Sequence, residues 1–380
     1  MPKKKLDKSP LLHYNVHVYM KTCTSRKEKL MAVTMKEIAK KAGVTHATVS
    51  RVLNNVDIPV KVDTREKILR IAQKLHYQPN SYARSLKTGK TFNIGVTTFT
   101  NGKGLLARFK EPYLGLVYSG IGKAVGMQKY DMVFHDAADE TGTTQLALKR
   151  MVDGLILNFY SEALSKFESF KQNHLDGLDI PYVIVHSLPD TFDCNSVRMD
   201  TEAGTRAAVE HLVHHKYPSI GYVHRGDSPP HHTALFNGYK KAMQKFSLPM
   251  NDNHIFRAEG VREASGYQLA ARLLEDKKDL PRAFFSVDDG ISIGMLSKFR
   301  EAGVRVPEDV AIIGFSNENE RLNNFAGLTS VKQPAEEKGK AAGTLLMDII
   351  DNKIPADDHQ KILIKPELVV RKTCGCRQTR

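Results

Sequence analysis

Apolar residues follow two rhythms along this chain: helical spacing up to Leu75, then short apolar runs alternating with amphipathic stretches from Asn93 onward. In the first part, TMKEIAKKAGVTHATVSRVLN (Thr34 to Asn54) sets Ile38, Ala39 and Ala42 on one face and Val49, Val52 and Leu53 on another. That spacing predicts two short helices packed together. Gly43 breaks the pattern where the chain must turn sharply. Thr45 then stands as a hydroxyl N-cap for the second helix, leaving His46, Ala47, Thr48, Ser50 and Arg51 on its outer side. After a loop with Pro59, Asp63 and Thr64 are expected to cap a third helix bearing Ile68, Ile71, Ala72 and Leu75 at helical intervals. Three short helices bury little surface, so this unit is expected to be marginal on its own.

In the second part, NIGVTTF, DMVFHDA, VDGLILNF, PYVIVHS, SIGYVHR, RAFFSVDD and DVAIIGFS read as strands. Between them lie helical stretches such as YLGLVYSGIGKAVGMQ, GTRAAVEHLVHH, ALFNGYKKAMQKF, EASGYQLAARLLED, GISIGMLSKFREAG and EEKGKAAGTLLMDIID. Short apolar strands alternating with helices predict doubly wound parallel sheets covered on both faces, the α/β class. So many units predict two sheets.

Charge changes this picture more than composition does. At 380 residues, with 41% apolar and 26% charged residues, the chain has the make-up of a globular protein of two or three domains. No apolar run approaches the length of a membrane span, and no membrane partner is expected. Residues 1–90 hold 20 Lys or Arg against 6 Asp or Glu, whereas residues 91–380 hold 36 against 36. The whole excess of +14 therefore sits in the first quarter, and residues 31–90, where the charge lies on a patterned fold, account for 12 against 4. Such asymmetry marks a polyanion-binding module joined to an electrically neutral one. A rod of the size of the second helix fits the major groove of double-stranded DNA.

Several other signals are weak. Residues 1–30 start with lysines and continue LLHYNVHVYM, but His13, Asn15 and His17 interrupt the apolar segment and no small-residue cleavage site follows. This basic extension is expected to be disordered, or to precede a true start at Met31. Cys23, Cys194, Cys374 and Cys376 form no disulfide framework, which points to a reducing, cytoplasmic setting. Cys374 and Cys376 have no further ligand in sequence reach, and the adjacent pairs His214-His215 and His231-His232 cannot easily point at one ion. No metal and no cofactor are expected. Gly120, Gly122 and Gly126 miss the dinucleotide-binding spacing and are read as helix-packing positions. No nucleophile motif is found, so no enzyme is expected.

The run AGVTHATVSRVLNN, followed by VDTREKILRIAQKLHYQPNSYARSLKTGKTFNIGV, resembles the headpiece, hinge and first core strand of the LacI/GalR family of transcription regulators. The likeness extends over roughly Val33 to Lys372. It implies a helix-turn-helix headpiece at 31–79, a hinge at 80–91, an effector-binding and dimerisation core at 92–372 and a tail at 373–380. The core would have two lobes like periplasmic sugar-binding proteins, 92–199 with 328–343 and 200–327 with 344–372. Implied with it are a repressor working as a homodimer on a near-palindromic operator, and a carbohydrate effector in the cleft between the lobes. The alternative is a sugar receptor with an accessory basic domain, which the lack of an export signal disfavours.

In the headpiece, the resemblance and the outward positions together assign base reading to His46, Ala47, Thr48 and Arg51, next to the cap Thr45. They assign phosphate contacts to Thr34, Ser50, Asn54, Tyr77 and Asn80. Arg51 is the expected guanine reader because its guanidinium donates twice to one base edge. In the hinge segment SYARSLKTGK, which includes Ala83, Leu86 falls where the family inserts an apolar wedge into the minor groove. Ligands of parallel sheets sit at the carboxyl ends of strands. The effector candidates are therefore Thr98, Phe99, His135, Asp136, His186, Arg225, Asp289, Ser316 and Asn317, with Asp200 at a crossover. Leu235 stands where the family often has an anchoring arginine, so the chain binds a different sort of effector, uses Arg225 or Arg262 as substitutes, or binds none. Lys216-Tyr217 replaces a common Gly-His pair, and no role is read into it.

Overall fold

The computed structural model describes residues 33–53, 59–77, 85, 88–99, 112–137, 151–159, 167–185, 192–225, 230–260, 263–276, 280–355 and 357–376. These fall into two compact units, residues 1–80 and 81–380. In the first unit, α1 (Met35–Ala42) begins on a capping box: the Thr34 N–H donates to Glu37 Oε2 at 2.8 Å, and the Glu37 N–H donates back to Thr34 Oγ1. Gly43 ends it in the left-handed region at φ 72°, a conformation a side chain would resist. Helices α2 (His46–Leu53) and α3 (Val62–Lys74) close a small core of Ile38, Ala39, Ala42, Val49, Val52, Ile68 and Ala72. One expected detail is corrected here. The third helix starts at Val62 behind Lys61 with no side-chain cap, so Asp63 and Thr64 lie inside its first turn. There Asp63 acts through the helix dipole.

The second unit alternates strands and helices. It runs β1 (Asn93–Phe99), α4 (Pro112–Met127), β2 (Asp131–Ala137), β3 (Gly154–Phe159), a single turn α5 (Phe167–Phe170), β4 (Tyr182–Val185) and β5 (Ser196–Met199). It continues α6 (Thr201–His214), β6 (Ile220–Arg225), α7 (Pro230–Lys245), β7 (Ile255–Ala258), α8 (Glu263–Glu275), β8 (Ala283–Ser286), α9 (Asp289–Glu301) and β9 (Ala311–Ser316). Last come α10 (Glu320–Ala326), β10 (Thr329–Lys332), α11 (Ala335–Ile350), β11 (Lys361–Ile364) and β12 (Glu367–Val369).

The strands form two six-stranded sheets, β11-β5-β4-β3-β1-β2 and β12-β10-β9-β8-β6-β7. Among the described residues all pairs are parallel except β10 with β12. Successive residues of one strand feed opposite faces: Ile156 packs with α4 and α11, whereas Leu155 and Leu157 pack with Phe167 and Phe170. The second sheet is covered likewise, by α6 and α7 on one face and α8 and α9 on the other.

Sheet membership moves two of the expected lobe boundaries. The chain leaves the first sheet after Met199. However, Thr329–Lys332 still pairs with β9, so the return falls between Lys332 and Ala335 rather than at 328. Gly343 lies inside the unbroken α11, where an added Cβ would come within 2.7 Å of the Ala124 Cβ on α4, so no crossing occurs there. The last crossing runs from β11 in the first sheet to β12 in the second. Nor do residues 373–376 form a free tail: Thr373 and Cys374 are buried, and the Thr373 hydroxyl donates to the Ile312 carbonyl at 2.6 Å.

Candidate nucleic-acid interface and effector pocket

The outer side of α2 is built by its cap. Thr45 Oγ1 accepts the Thr48 N–H at 3.2 Å, and the two threonine hydroxyls share a further hydrogen bond at 2.9 Å. That ties the first turn down while Thr45, His46, Ala47 and Arg51 stay exposed, with Thr48 and Ser50 half-buried. Val49 and Val52 are buried on the opposite side, so helical spacing separates holding from reading. Thr34 is exposed at the start of α1 with its backbone N–H already bound to Glu37. Tyr77 is half-buried against the headpiece core, and burial raises its phenol pKa. Asn54, Asn80, Ala83 and Leu86 lie outside the described residues.

At the strand ends of the first lobe, the register sets Thr98 of β1 between Asp136 of β2 and Asn158 of β3. Thr98 is fully buried, and its hydroxyl shares a 2.6 Å hydrogen bond with Tyr118. Phe99, His135 and Asp136 occupy strand ends, but their side chains are not among those described; His186 and Arg262 lie outside the described residues altogether. Asn158 is a residue the sequence reading missed. It is only 2% exposed, and both polar atoms of its amide lack a hydrogen-bond partner among the described residues. A buried amide in that condition costs stability unless a ligand or water completes it. The one signal for it was an asparagine inside the otherwise apolar strand GLILNF.

The second lobe carries a connected polar network. Asp289 Oδ2 accepts from the Asn317 N–H at 2.6 Å and from Asn323 Nδ2 at 2.7 Å, and Oδ1 accepts from Ser330 Oγ at 2.6 Å. Burial raises the Asp289 pKa, against the opposing pull of the bonds from Ser330, Asn323 and Asn317. Both oxygens are engaged inside the lobe, so this carboxyl positions Asn317. The backbone there is strained: Ser316 has φ 123° and Asn317 has φ 49°. Asn317 is 5% exposed, and its Nδ2 lacks a partner among the described residues. Arg225 is half-buried at the end of β6.

Two candidates have structural duties. Asp200 is the N-cap of α6, accepting the Ala203 N–H at 2.9 Å. Leu235 is fully buried among Tyr222, Tyr239 and Met243, so it completes the core where an arginine fork would need polar partners. The premise that Cys374 and Cys376 lack further ligand residues does not hold: His211 in the last turn of α6 and His215 at its C-cap lie beside them, which sequence distance concealed.

Comparison with known proteins decides the family. Residues 34–80 match the bacterial regulatory proteins, lacI family, and residues 209–374 match the periplasmic binding protein-like domain. The HTH-type transcriptional repressor PurR of Haemophilus influenzae is 30% identical over 351 residues, covering 90% of this chain and 98% of that protein. The chain belongs to the LacI family. A Lac repressor dimer bound to operator and the anti-inducer ONPF shares the fold at TM-score 0.71 and 24% identity, covering 90% of this chain and 99% of that one. A complex of the regulator CelR with cellobiose shares it at TM-score 0.61 and 24% identity, with the same coverage. As a LacI-family regulator, the protein combines a DNA-binding headpiece with an effector-binding core, and its relatives are transcription regulators, not enzymes.

Proposed function

We propose that this LacI-family repressor binds a near-palindromic operator as a homodimer and responds to a carbohydrate held between its two lobes. The observation that carries the DNA half is the capped α2, which holds the apolar Val49 and Val52 inward and turns His46, Ala47 and Arg51 outward. His46, Ala47, Thr48 and Arg51 read base edges. Thr34, Ser50, Asn54, Tyr77 and Asn80 fix the headpiece on phosphates, which sets register without specifying sequence. Leu86, in the hinge with Ala83, wedges open a base step, so operator choice includes the cost of bending. Acting on DNA, the protein works in the cytoplasm.

The carbohydrate half is supported by Asn158 in the first lobe and Asn317 in the second, each a buried amide at a strand end with hydrogen-bonding capacity unfilled among the described residues. Each primary amide offers both donor and acceptor atoms, which suits paired sugar hydroxyls. The cellobiose complex of CelR is consistent with this class of ligand. Ligand bound across both lobes favours one relative angle between them and thereby alters DNA affinity, as any ligand with differential affinity for two states must.

Selection from a pool of random duplexes tests the DNA reading. Enrichment of a palindrome is the expected result, and uniform retention of all sequences would defeat it. A thermal-shift screen of sugars, repeated with Asn158→Ala, tests the effector reading. A sugar that stabilises the native protein and not the variant is expected, and equal stabilisation of both would remove Asn158 from the pocket.

A further inference from the structure

We propose that His211, His215, Cys374 and Cys376 form a closed tetrahedral site for a zinc-class divalent cation, fastening the chain after β12 to the end of α6. Their four donor atoms lie within 4.8 Å of one another. His215 Nε2 lies 3.1 Å from Cys376 Sγ, and His211 Nε2 lies 3.4 Å from the same sulfur. In a tetrahedral zinc site with zinc to sulfur near 2.3 Å and zinc to nitrogen near 2.05 Å, neighbouring donors stand about 3.3 to 3.8 Å apart. The cluster is therefore already close to the size the ion requires.

Three local features explain how the sequence builds it. His211 lies in the last turn of α6 and His215, four residues on, is its C-cap, so both rings project from one side of the helix end. Gly375 separates the two cysteines at φ 93°, and a Cβ there would fall 2.5 Å from the Tyr217 hydroxyl oxygen. Only glycine both bends and fits, which returns each thiol toward the same histidines. Tyr217 itself donates to the Cys374 carbonyl at 3.3 Å, holding the bend against the lobe. Lys216 precedes it at φ 61°, the left-handed turn that brings Tyr217 round.

The chemistry favours a soft divalent ion. Two thiolates and two neutral imidazoles cancel a double positive charge, which suits a site where Cys374 is fully buried and the others are half-buried. The carboxyl end of α6 adds the negative end of its dipole. Four protein ligands leave no open position, so the role is structural rather than catalytic. Binding releases the thiol protons and ties together segments far apart in sequence, contributing directly to the stability of the second lobe.

The test uses full-length protein in a Cys23→Ser background, reduced, stripped with chelator and titrated with Co2+, then Zn2+. The expected result is one Co2+ per chain, with the visible bands of tetrahedral cobalt, a thiolate charge-transfer band, and displacement of both by Zn2+. Zn2+ should also raise the thermal midpoint. Cys376→Ser, at a half-exposed position, should keep the wild-type circular dichroism spectrum. It should weaken Co2+ binding by about tenfold or more, at least the effect of losing a supporting group around a metal. His214→Gln, on the same turn but outside the cluster, should bind as the parent does. The proposal fails if the reduced protein takes up no cobalt, or if the spectrum is octahedral and indifferent to Cys376→Ser. It also fails if Cys374 and Cys376 pair as a disulfide and the reduced pair then binds no metal.

Discussion

Arg51 and Asp289 show how differently two charged residues serve one regulator. Arg51 is exposed on α2, with its planar fork available to a base edge. Arg51→Ala should cost roughly 1 to 3 kcal/mol per half-site and flatten preference at one base pair. Binding to the selected operator and its single-base variants measures this, and equal losses on all of them would reassign Arg51 to a phosphate. Asp289 is sealed inside the second lobe with three donors on its oxygens. Burial raises its pKa, so the folded chain holds the carboxyl proton to higher pH than the unfolded chain does. Its contribution to stability is complete below the ordinary value of 3.8 and is lost as pH climbs through the raised one. Asp289→Asn should flatten that dependence in denaturant titrations stepped upward from pH 3.8. A pH profile parallel to the parent's would show that Asp289 titrates alike in both states. The position of Asp289 after a strand was legible in the sequence, but its three partners were not. Ser330 of β10, Asn323 of α10 and Asn317 just after β9 are brought together around the start of α9, which no local pattern reports. Asn158 escaped for the same reason, since its isolation is a property of the folded neighbourhood.

Elements were legible where their apolar pattern was long. Seven strands and the longer helices stand where alternation and helical spacing set them, because each buries enough side chains to leave a periodic trace. The segments SVRM, IFRA, TSVK, KILI and ELV escaped as strands because they are short and carry charged or hydroxyl residues. The glycines of α4 divide in a way spacing alone could not decide. A Cβ on Gly120 would fall 2.0 Å from the Glu336 carbonyl oxygen of α11, whereas one on Gly126 meets nothing within 4 Å. Helices α4 and α11 therefore approach through Gly120, and the neighbouring Lys338 is buried with its ammonium on the Tyr113 hydroxyl at 2.6 Å. Gly120→Ala must push the two helices apart and should cost about 1 to 3 kcal/mol, as overpacking does. Gly126→Ala should instead be neutral, or stabilising by up to about 1 kcal/mol through helix propensity. Denaturant midpoints separate the two, and equal shifts would mean that the contact at Gly120 is not tight.

For the whole molecule, the two-sheet architecture and the basic headpiece could be read directly, because alternation and charge are summed over many residues. The exact path between sheets could not. Both late crossings depend on which sheet a four-residue strand joins, and α11 continues through Gly343 where a crossing between lobes had been expected. Cys374 and Cys376 looked isolated because their partners precede them by more than 150 residues, a separation that only the folded chain removes. The placement of β11 and β12 has a further consequence for synthesis. Each closes the margin of a different sheet, and both are encoded within nine residues, Lys361 to Val369, after every other described strand. While the ribosome is still translating this gene, β5 and β10 thus each keep a bare flank of unpaired backbone, the kind of surface that recruits other chains. A nascent polypeptide stalled just short of Lys361 would expose two such flanks at once, so this core would need its closing stretch, or a chaperone, before it could be released safely.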